Sequence, residues 1–198
     1  VAYGGRLEVR EALEAAHRAM PGWMGLDAWR RGAILKTTAD LMRQRCDAIA
    51  RTMTMEQGKP LAESAAEIHH SADTFEWFAE EGKRCYGQVI PHSLPGKRHL
   101  TLKHPVGPVA AISPWNFPIT LQARKIAPAL AAGCTVVSRP ASQTPLCLIQ
   151  LFECLVDAGL PPGVANLVIG PAQEMADEFL QNPICRKISF TGSTEVGK

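Results

Sequence analysis

The sequence predicts a protein of the α/β class, in which a parallel β-sheet with flanking helices follows an N-terminal helical segment. Two patterns in the 198 residues support this prediction. Residues 1–85 repeat apolar side chains at helical spacing, and residues 105–198 alternate short β-branched runs with helix-length segments. With 46% hydrophobic and 20% charged residues, the chain has enough apolar material to bury a core.

Composition excludes several classes of protein. Because the formal charge is +2 and no long basic run is present, neither nucleic acid nor an anionic membrane is an expected partner. No stretch approaches the ~18 consecutive apolar residues of a membrane-spanning helix, and no signal-peptide pattern follows Val1. The six cysteines are scattered without a CxxC pair, so we expect reduced thiols, a cytoplasmic location and no metal site.

The helical segment divides into three stretches. An apolar stripe begins at Val9, and Pro21-Gly22 is expected to end the first helix. A second stretch runs from about Asp27 to Gln57, with or without a break, and stops at Gly58.

The third stretch has the clearest amphipathic pattern. Its apolar stripe consists of Leu61, Ala65, Ile68, Ala72, Phe75 and Ala79. The opposite face, expected in solvent, carries Glu63, Glu67, His70 and Glu81. The large side chains expected in the core are Met42, Met53, Phe75 and Trp77.

Residues 86–104 form a separate segment between the helices and the sheet. Short alternating runs split by Pro91 and Pro95 predict a β-hairpin with edge-type strands, which cannot bury much surface alone and is expected to project onto a neighbouring subunit. Strands are then predicted at Val109–Ile112, Thr135–Ser138, Val164–Ile169 and Lys187–Phe190. The helices between them are predicted at residues 119–132, 145–158 and 172–180. This alternation is typical of a Rossmann-like, doubly wound sheet.

Ligands of such sheets bind beyond the carboxyl ends of the strands. The first strand is followed by SPWNFP (113–118). Its Asn116 could donate a hydrogen bond to a developing oxyanion. Alternatively its side chain could bond to the backbone of its own turn, which is the ordinary role of such a residue. After the second strand, Arg139 could reach a phosphate or ribose or remain a solvated charge, and Thr144-Pro145 is expected to start a helix.

The last strand leads into Gly192-Ser193, where a helix should open and its free N–H groups could bind an anion. The spacing of the glycines matches neither GxGxxG nor a P-loop. Each loop alone is a weak signal. Together, on one edge of one sheet, they favour a dinucleotide lying across several strand ends.

These segments resemble the aldehyde dehydrogenase superfamily in sequence and in order. The motifs that carry the resemblance are MEQGKPLAES (55–64), PWNFP (114–118), KIAPALAAGCTVV (125–137), RPASQTP (139–145), AGLPPGVANLVIG (158–170) and ISFTGSTEVGK (188–198). The phrase PASQTP, together with CRKISFTGSTEVGK, is most similar to the succinate-semialdehyde dehydrogenase branch.

The resemblance implies oxidation of an aldehyde, such as succinate semialdehyde, to the acid with NADP or NAD. In the family a cysteine thiolate attacks the carbonyl, hydride leaves to the nicotinamide, and a glutamate activates the water that hydrolyses the thioester. Asn116 matches the family's oxyanion donor and is the catalytic residue expected here. The implied coenzyme-binding residues are Ser113, Pro114, Trp115, Asn116, Arg139, Ala141, Ser142, Phe190, Gly192, Ser193 and Val196.

Four positions depart from the family pattern. Arg139 replaces the usual lysine, and Ser142 stands where many NAD-preferring members carry a glutamate that repels a 2′-phosphate. We therefore predict that NADP is accepted. Ala172 and Ala176 stand where glycine is common and add methyl groups near the coenzyme groove.

The family's cysteine and glutamate come later in the sequence than Lys198, so we expect an N-terminal fragment that is inactive and poorly soluble alone. Its expected parts are a helical portion of the coenzyme domain (1–85), the hairpin of an oligomerisation arm (86–104) and an incomplete dinucleotide-binding domain (105–198). The expected partners are a small aldehyde and, at full length, further copies in a dimer or tetramer. Other interpretations stay open: an amino-aldehyde or CoA-acylating member, or a non-catalytic dinucleotide-binding module.

Overall fold

The computed structural model describes residues 1–198 and consists of helices arranged on both faces of a parallel sheet. The helices are α1 (Arg6–Gly25), α2 (Ala28–Gln44), α3 (Cys46–Gln57), α4 (Leu61–Glu81), α5 (Pro118–Ala131), α6 (Leu146–Asp157), α7 (Ala172–Gln181) and α8 (Thr194–Gly197). The strands are β1 (Gln88–Ile90), β2 (His99–Thr101), β3 (Val109–Ile112), β4 (Val136–Arg139), β5 (Ala165–Leu167) and β6 (Lys187–Phe190).

The main sheet has the strand order β5-β4-β3-β6, and all its pairs are parallel. Side chains alternate between its faces. Ala110 and Val137 pack with the buried side chains of α1 and α7 on one face, while Ala111 and Val136 belong to a larger core with α2 to α6 on the other. The predicted Rossmann-like α/β class is confirmed.

Most predicted elements lie within a residue or two of the observed ones. The first and last predicted sheet strands coincide with β3 and β6, β4 is shifted by one residue, and β5 is shorter than predicted. The predicted hairpin is present as antiparallel β1 and β2, and every residue of both strands is exposed.

The predicted end of the first helix at Pro21-Gly22 is wrong, because α1 continues through Pro21 to Gly25. Trp23 explains the extension. Its ring is buried in the larger core, and its Nε1 donates a hydrogen bond of 3.1 Å to the Leu130 carbonyl of α5. This anchoring outweighs the helix-breaking tendency of a proline in the last turn.

The second helical stretch is broken at Arg45 into α2 and α3, and Asp27 caps α2 by accepting a hydrogen bond from the Arg30 amide. The third stretch is α4 as predicted, but two of its side chains were assigned to the wrong environment. Trp77 is 63% exposed rather than in the core, and Glu67 is 5% exposed rather than in solvent. The partners that bury Glu67 come from outside its own helix.

α6 begins directly after Thr144-Pro145, as expected, but Thr144 does not cap it. The Thr144 hydroxyl is buried without a hydrogen-bond partner. Glu56 of α3 caps the helix instead, because its carboxylate accepts hydrogen bonds of 2.8 and 2.9 Å from the amides of Leu146 and Cys147. A carboxylate at a helix N-terminus also interacts favourably with the helix dipole.

The six cysteines are all free thiols, and four of them are buried. No three His, Cys, Asp or Glu side chains are grouped so that they could hold a metal ion. None of the helices combines the length and the apolar character that crossing a membrane requires.

Candidate functional site

The candidate site is a groove at the carboxyl ends of β3 and β6. Strands β3, β4 and β5 lie side by side in chain order. The chain then crosses back, so that β6 pairs with the opposite edge of β3. The crevice between β3 and β6 is therefore the topological switch point, where doubly wound sheets bind ligands. A groove of about 450 Å³ opens there. Its walls include Ser113, Pro114, Arg139, Phe190, Gly192, Ser193 and Val196.

The groove therefore contains most of the residues that were predicted to bind a coenzyme. Ala172 and Ala176 also line it. Trp115 and Asn116 follow Pro114 on the same loop but are exposed at the rim and form no part of the groove wall, while Ala141 is buried beyond β4.

Arg139 is half-buried at the end of β4 and is not a freely solvated charge. Its Nη2 donates a hydrogen bond of 2.9 Å to the Gly170 carbonyl, which also accepts one of 3.3 Å from Ser142 Oγ. Burial lowers the pKa of the Arg139 guanidinium, no carboxylate forms an ion pair with it, and its Nε is buried without a hydrogen-bond partner. A buried cation with an unused donor fits a bound anion such as a phosphate.

Asn116 presents a free side-chain amide at the rim. The side chain is exposed and has no hydrogen-bond partner in the turn, so it does not serve its own backbone. The Asn116 carbonyl instead accepts hydrogen bonds of 3.0 Å from Lys59 Nζ and 3.3 Å from Gln57 Nε2. Residues from before α4 thus hold the backbone of this turn while its amide faces outward.

Beneath the turn lies a buried ion pair that sequence reasoning missed. Lys59 Nζ contacts Glu67 Oε2, and Glu67 Oε1 accepts hydrogen bonds of 3.1 Å from the amides of both Ile119 and Thr120 at the start of α5. The amphipathic pattern of α4 assigned Glu67 to solvent. The one feature of the sequence that could have linked the two residues is the MEQGKPLAES motif (55–64), which contains Lys59 and ends three residues before Glu67.

A buried glutamine joins the two strand ends behind the groove. Gln122 Nε2 donates to Ser113 Oγ at 2.8 Å, to the Ala111 carbonyl at 3.2 Å and to the Arg139 carbonyl at 3.3 Å. Its Oε1 accepts a hydrogen bond of 2.9 Å from Ser138 Oγ. One fully buried side chain therefore fixes the loop after β3 relative to the end of β4.

The loop after β6 is closely packed. An alanine Cβ at Gly192 would lie 2.3 Å from Phe190 Cζ, so no side chain fits there without moving the ring. Ser193 caps the short α8, because its Oγ accepts a hydrogen bond of 3.3 Å from the Val196 amide. Lys125 of α5 reaches Thr191 Oγ1 at 2.5 Å, and burial lowers the pKa of its ammonium group.

A second groove, of about 420 Å³, lies between α4 and α5 on the other side of the Asn116 turn. It is lined by Glu63, Ala66, Glu67, His70, Phe117, Thr120, Leu121 and Arg124. Arg124 Nη2 lies 3.4 Å from His70 Nε2, and the guanidinium has no carboxylate partner. Sequence reasoning did not single out Arg124, because an arginine on an amphipathic helix is ordinarily a solvated charge.

Comparison with known proteins gives consistent results. The family model described as "Aldehyde dehydrogenase family" matches residues 1–198. The chain is 52% identical over 191 residues to the succinate-semialdehyde dehydrogenase [NADP(+)] of Escherichia coli, covering 96% of this chain and 40% of that protein. It is 51% identical over 194 residues to a glutarate-semialdehyde dehydrogenase of Pseudomonas aeruginosa, covering 98% of this chain and 40% of that protein.

Among solved structures, an Escherichia coli NADP-dependent enzyme matches with a TM-score of 0.98 and 51% identity. That match covers 100% of this chain and 41% of the other. The chain thus spans about 40% of the length of the curated relatives it matches.

Proposed function

The chain belongs to the aldehyde dehydrogenase family, and from that premise we propose that it forms the coenzyme-binding part of an enzyme that oxidises a semialdehyde to its carboxylic acid with NADP or NAD. One observation carries the proposal. The loops after β3 and β6 and the last residue of β4, Arg139, converge on a groove at the switch point, with the free amide of Asn116 at its rim. A nicotinamide coenzyme bound there supplies a hydride acceptor.

The role proposed for Asn116 follows from its free Nδ2 donor. When a thiolate adds to an aldehyde, the carbonyl oxygen becomes an oxyanion, and a pre-positioned amide stabilises it without reorganising. We propose that the thiolate is not one of the six cysteines of this chain, because none of them lines the groove. Cys147 is fully buried, and burial raises the pKa of its thiol, as it does for Cys46 and Cys154.

The coenzyme proposed as accepted is NADP. Arg139 supplies an uncompensated positive charge, and Ser142 beside it carries no negative charge that would repel a 2′-phosphate. Arg139 donates one hydrogen bond to the Gly170 carbonyl, and the guanidinium carries further N–H groups, the unpartnered Nε among them, that could donate to an anion. NAD, which lacks the 2′-phosphate, would leave this charge without a partner.

The substrate proposed is an aldehyde with an anionic group at its far end. The groove between α4 and α5 begins at Phe117, the residue after Asn116, and combines apolar side chains with charged ones. Arg124 places a cation without a carboxylate partner in that groove. Both relatives compared above are named for semialdehydes that carry a carboxylate.

We propose further that the β1–β2 hairpin is part of an arm that packs on a second copy of the protein. Its apolar side chains are exposed, with Val89 at 73% and Leu100 at 67%, and an isolated two-stranded hairpin is only marginally stable, so a second surface that covers these side chains would stabilise it. The helical part, the hairpin and the sheet part keep the proposed boundaries 1–85, 86–104 and 105–198.

The test is an oxidation assay on the protein expressed from its complete reading frame. Formation of NADPH or NADH is followed with succinate semialdehyde and with butanal, which has the same carbon chain but no carboxylate. We expect oxidation of succinate semialdehyde with the higher kcat/KM. Arg124→Met should reduce that preference in kcat/KM by about 10- to 100-fold, because it removes one charge-assisted hydrogen bond to the substrate carboxylate. Absence of aldehyde oxidation with either coenzyme would refute the proposed activity.

A further inference from the structure

Lys59 and Glu67 are almost completely buried, with side chains 6% and 2% exposed. Removing both charges from water is energetically costly, and buried ion pairs can often be replaced by apolar residues without loss of stability. A stability argument alone therefore does not explain why the pair is here. The groups that it contacts do.

The two side chains hold the backbone on both sides of Phe117. Lys59 Nζ donates to the Asn116 carbonyl at 3.0 Å and lies 4.1 Å from the centre of the Phe117 ring. Glu67 Oε1 accepts from the amides of Ile119 and Thr120. The carbonyl before the ring and the first amides of α5 after it are thus fixed by a single ion pair.

Fixing the carbonyl of Asn116 also restricts the direction of its Cα–Cβ bond, because the peptide plane and the side chain share the same backbone torsions. An oxyanion donor is effective only when it is held in place before the charge develops. Asn116 has no side-chain hydrogen bond that could hold it, so its position depends on its backbone.

We propose that Lys59 and Glu67 are positioning residues that fix the Asn116 turn and so hold the oxyanion donor in its productive direction. The proposal rests on the proposed function, because it needs an oxyanion for Asn116 to bind. Neither side chain touches the reacting atoms. Their effect on catalysis passes through Asn116.

The experiment is a double-mutant cycle on the protein expressed from its complete reading frame. Lys59→Met with Glu67→Gln removes the donor to Asn116 and both charges, while the glutamine oxygen can still cap α5. We expect kcat/KM for the aldehyde to fall about 10- to 100-fold, within the range for loss of an oxyanion donor, with little change in coenzyme affinity. In an Asn116→Ala background, the same pair of substitutions should change kcat/KM by less than about twofold.

Two results of this cycle overturn the proposal: an equal loss in both backgrounds, which shows an effect that bypasses Asn116, and no loss in either. Lys36→Met is the matched control, since Lys36 forms an exposed ion pair with Glu76 at 3.0 Å and makes no hydrogen bond or ion pair to this turn. It should leave kcat/KM unchanged. If the doubly substituted protein does not fold, Gln57→Leu removes the other donor to the Asn116 carbonyl and should show the same dependence on Asn116, with a loss of about 2- to 10-fold.

Hydrogen exchange separates failure of this inference from failure of the proposed function. Deuterium uptake by a peptide covering residues 114–121 should be faster in the Lys59→Met, Glu67→Gln variant than in the Lys36→Met control. If the unsubstituted protein oxidises no aldehyde, the proposed function fails, while faster exchange still shows that the pair holds the turn. Unchanged exchange in this peptide overturns the positioning role whatever the activity.

Discussion

Replacing Gln122 with leucine tests whether the glutamine joins the loop after β3 to the end of β4 behind the groove. Leucine has a similar volume but cannot bond to Ser113 Oγ or Ser138 Oγ, both of which Gln122 contacts within 2.9 Å. These hydroxyls are almost completely buried. An unsatisfied buried polar group costs about 1–3 kcal/mol. Two such hydroxyls, partly offset by the greater hydrophobicity of leucine, predict that the free energy of unfolding falls by about 2–5 kcal/mol.

The assay is urea unfolding of Gln122→Leu beside Gln150→Leu. Gln150 is a half-buried glutamine of α6 whose Oε1 has no hydrogen-bond partner, so its replacement should change the free energy of unfolding by less than about 0.5 kcal/mol. Adding Ser138→Ala to Gln122→Leu should recover about 1 kcal/mol by removing one orphaned hydroxyl. A loss below about 1 kcal/mol for Gln122→Leu would refute the reasoning.

Three further predictions concern the site and its support. Asn116→Ala should lower kcat for aldehyde oxidation about 10²- to 10³-fold with nearly unchanged coenzyme affinity, and a loss below tenfold would remove Asn116 from the oxyanion site. Ser142→Glu should lower the NADP/NAD ratio of kcat/KM about 10- to 100-fold, since a carboxylate near a phosphate repels it by about 1–4 kcal/mol; Ser142→Gln is the uncharged control. The hydrogen bond from Arg10 lowers the pKa of the buried Glu178 carboxyl from 4.5, so its stabilisation is complete above about pH 4.5 and is lost as pH falls through the lowered pKa. Glu178→Gln should accordingly be about 1–2 kcal/mol less stable at neutral pH, with a gap that closes in acid, and a gap independent of pH would contradict this.

Local periodicity predicted the fold because it records which side of an element is buried. The stripe through Ile68, Ala72 and Phe75 identified α4, and the β-branched runs identified β3 and β6. The three loops at the carboxyl ends were found for the same reason, since strand direction alone assigns them to one edge of the sheet.

What the sequence could not show depends on contacts between distant segments. Glu67 is buried by Lys59 and by the first turn of α5, which lies more than fifty residues further along the chain. Glu56 caps α6 across ninety residues, and Pro21 is tolerated because Trp23 anchors to α5. Periodicity treats each helix as if only its own residues decided its environment, so it carries no record of these partners.

The caps on α5 and α6 have a consequence for the architecture of the molecule. Both carboxylates, Glu67 and Glu56, belong to helices that precede the hairpin, yet they cap the N-termini of helices that follow it. The amino-terminal helices are thus structural components of the sheet layer and cannot be trimmed as an appendage. Any attempt to excise a minimal nucleotide-binding module at the hairpin would leave its two main crossover helices with bare N-termini, one of them at the turn where chemistry is proposed to occur.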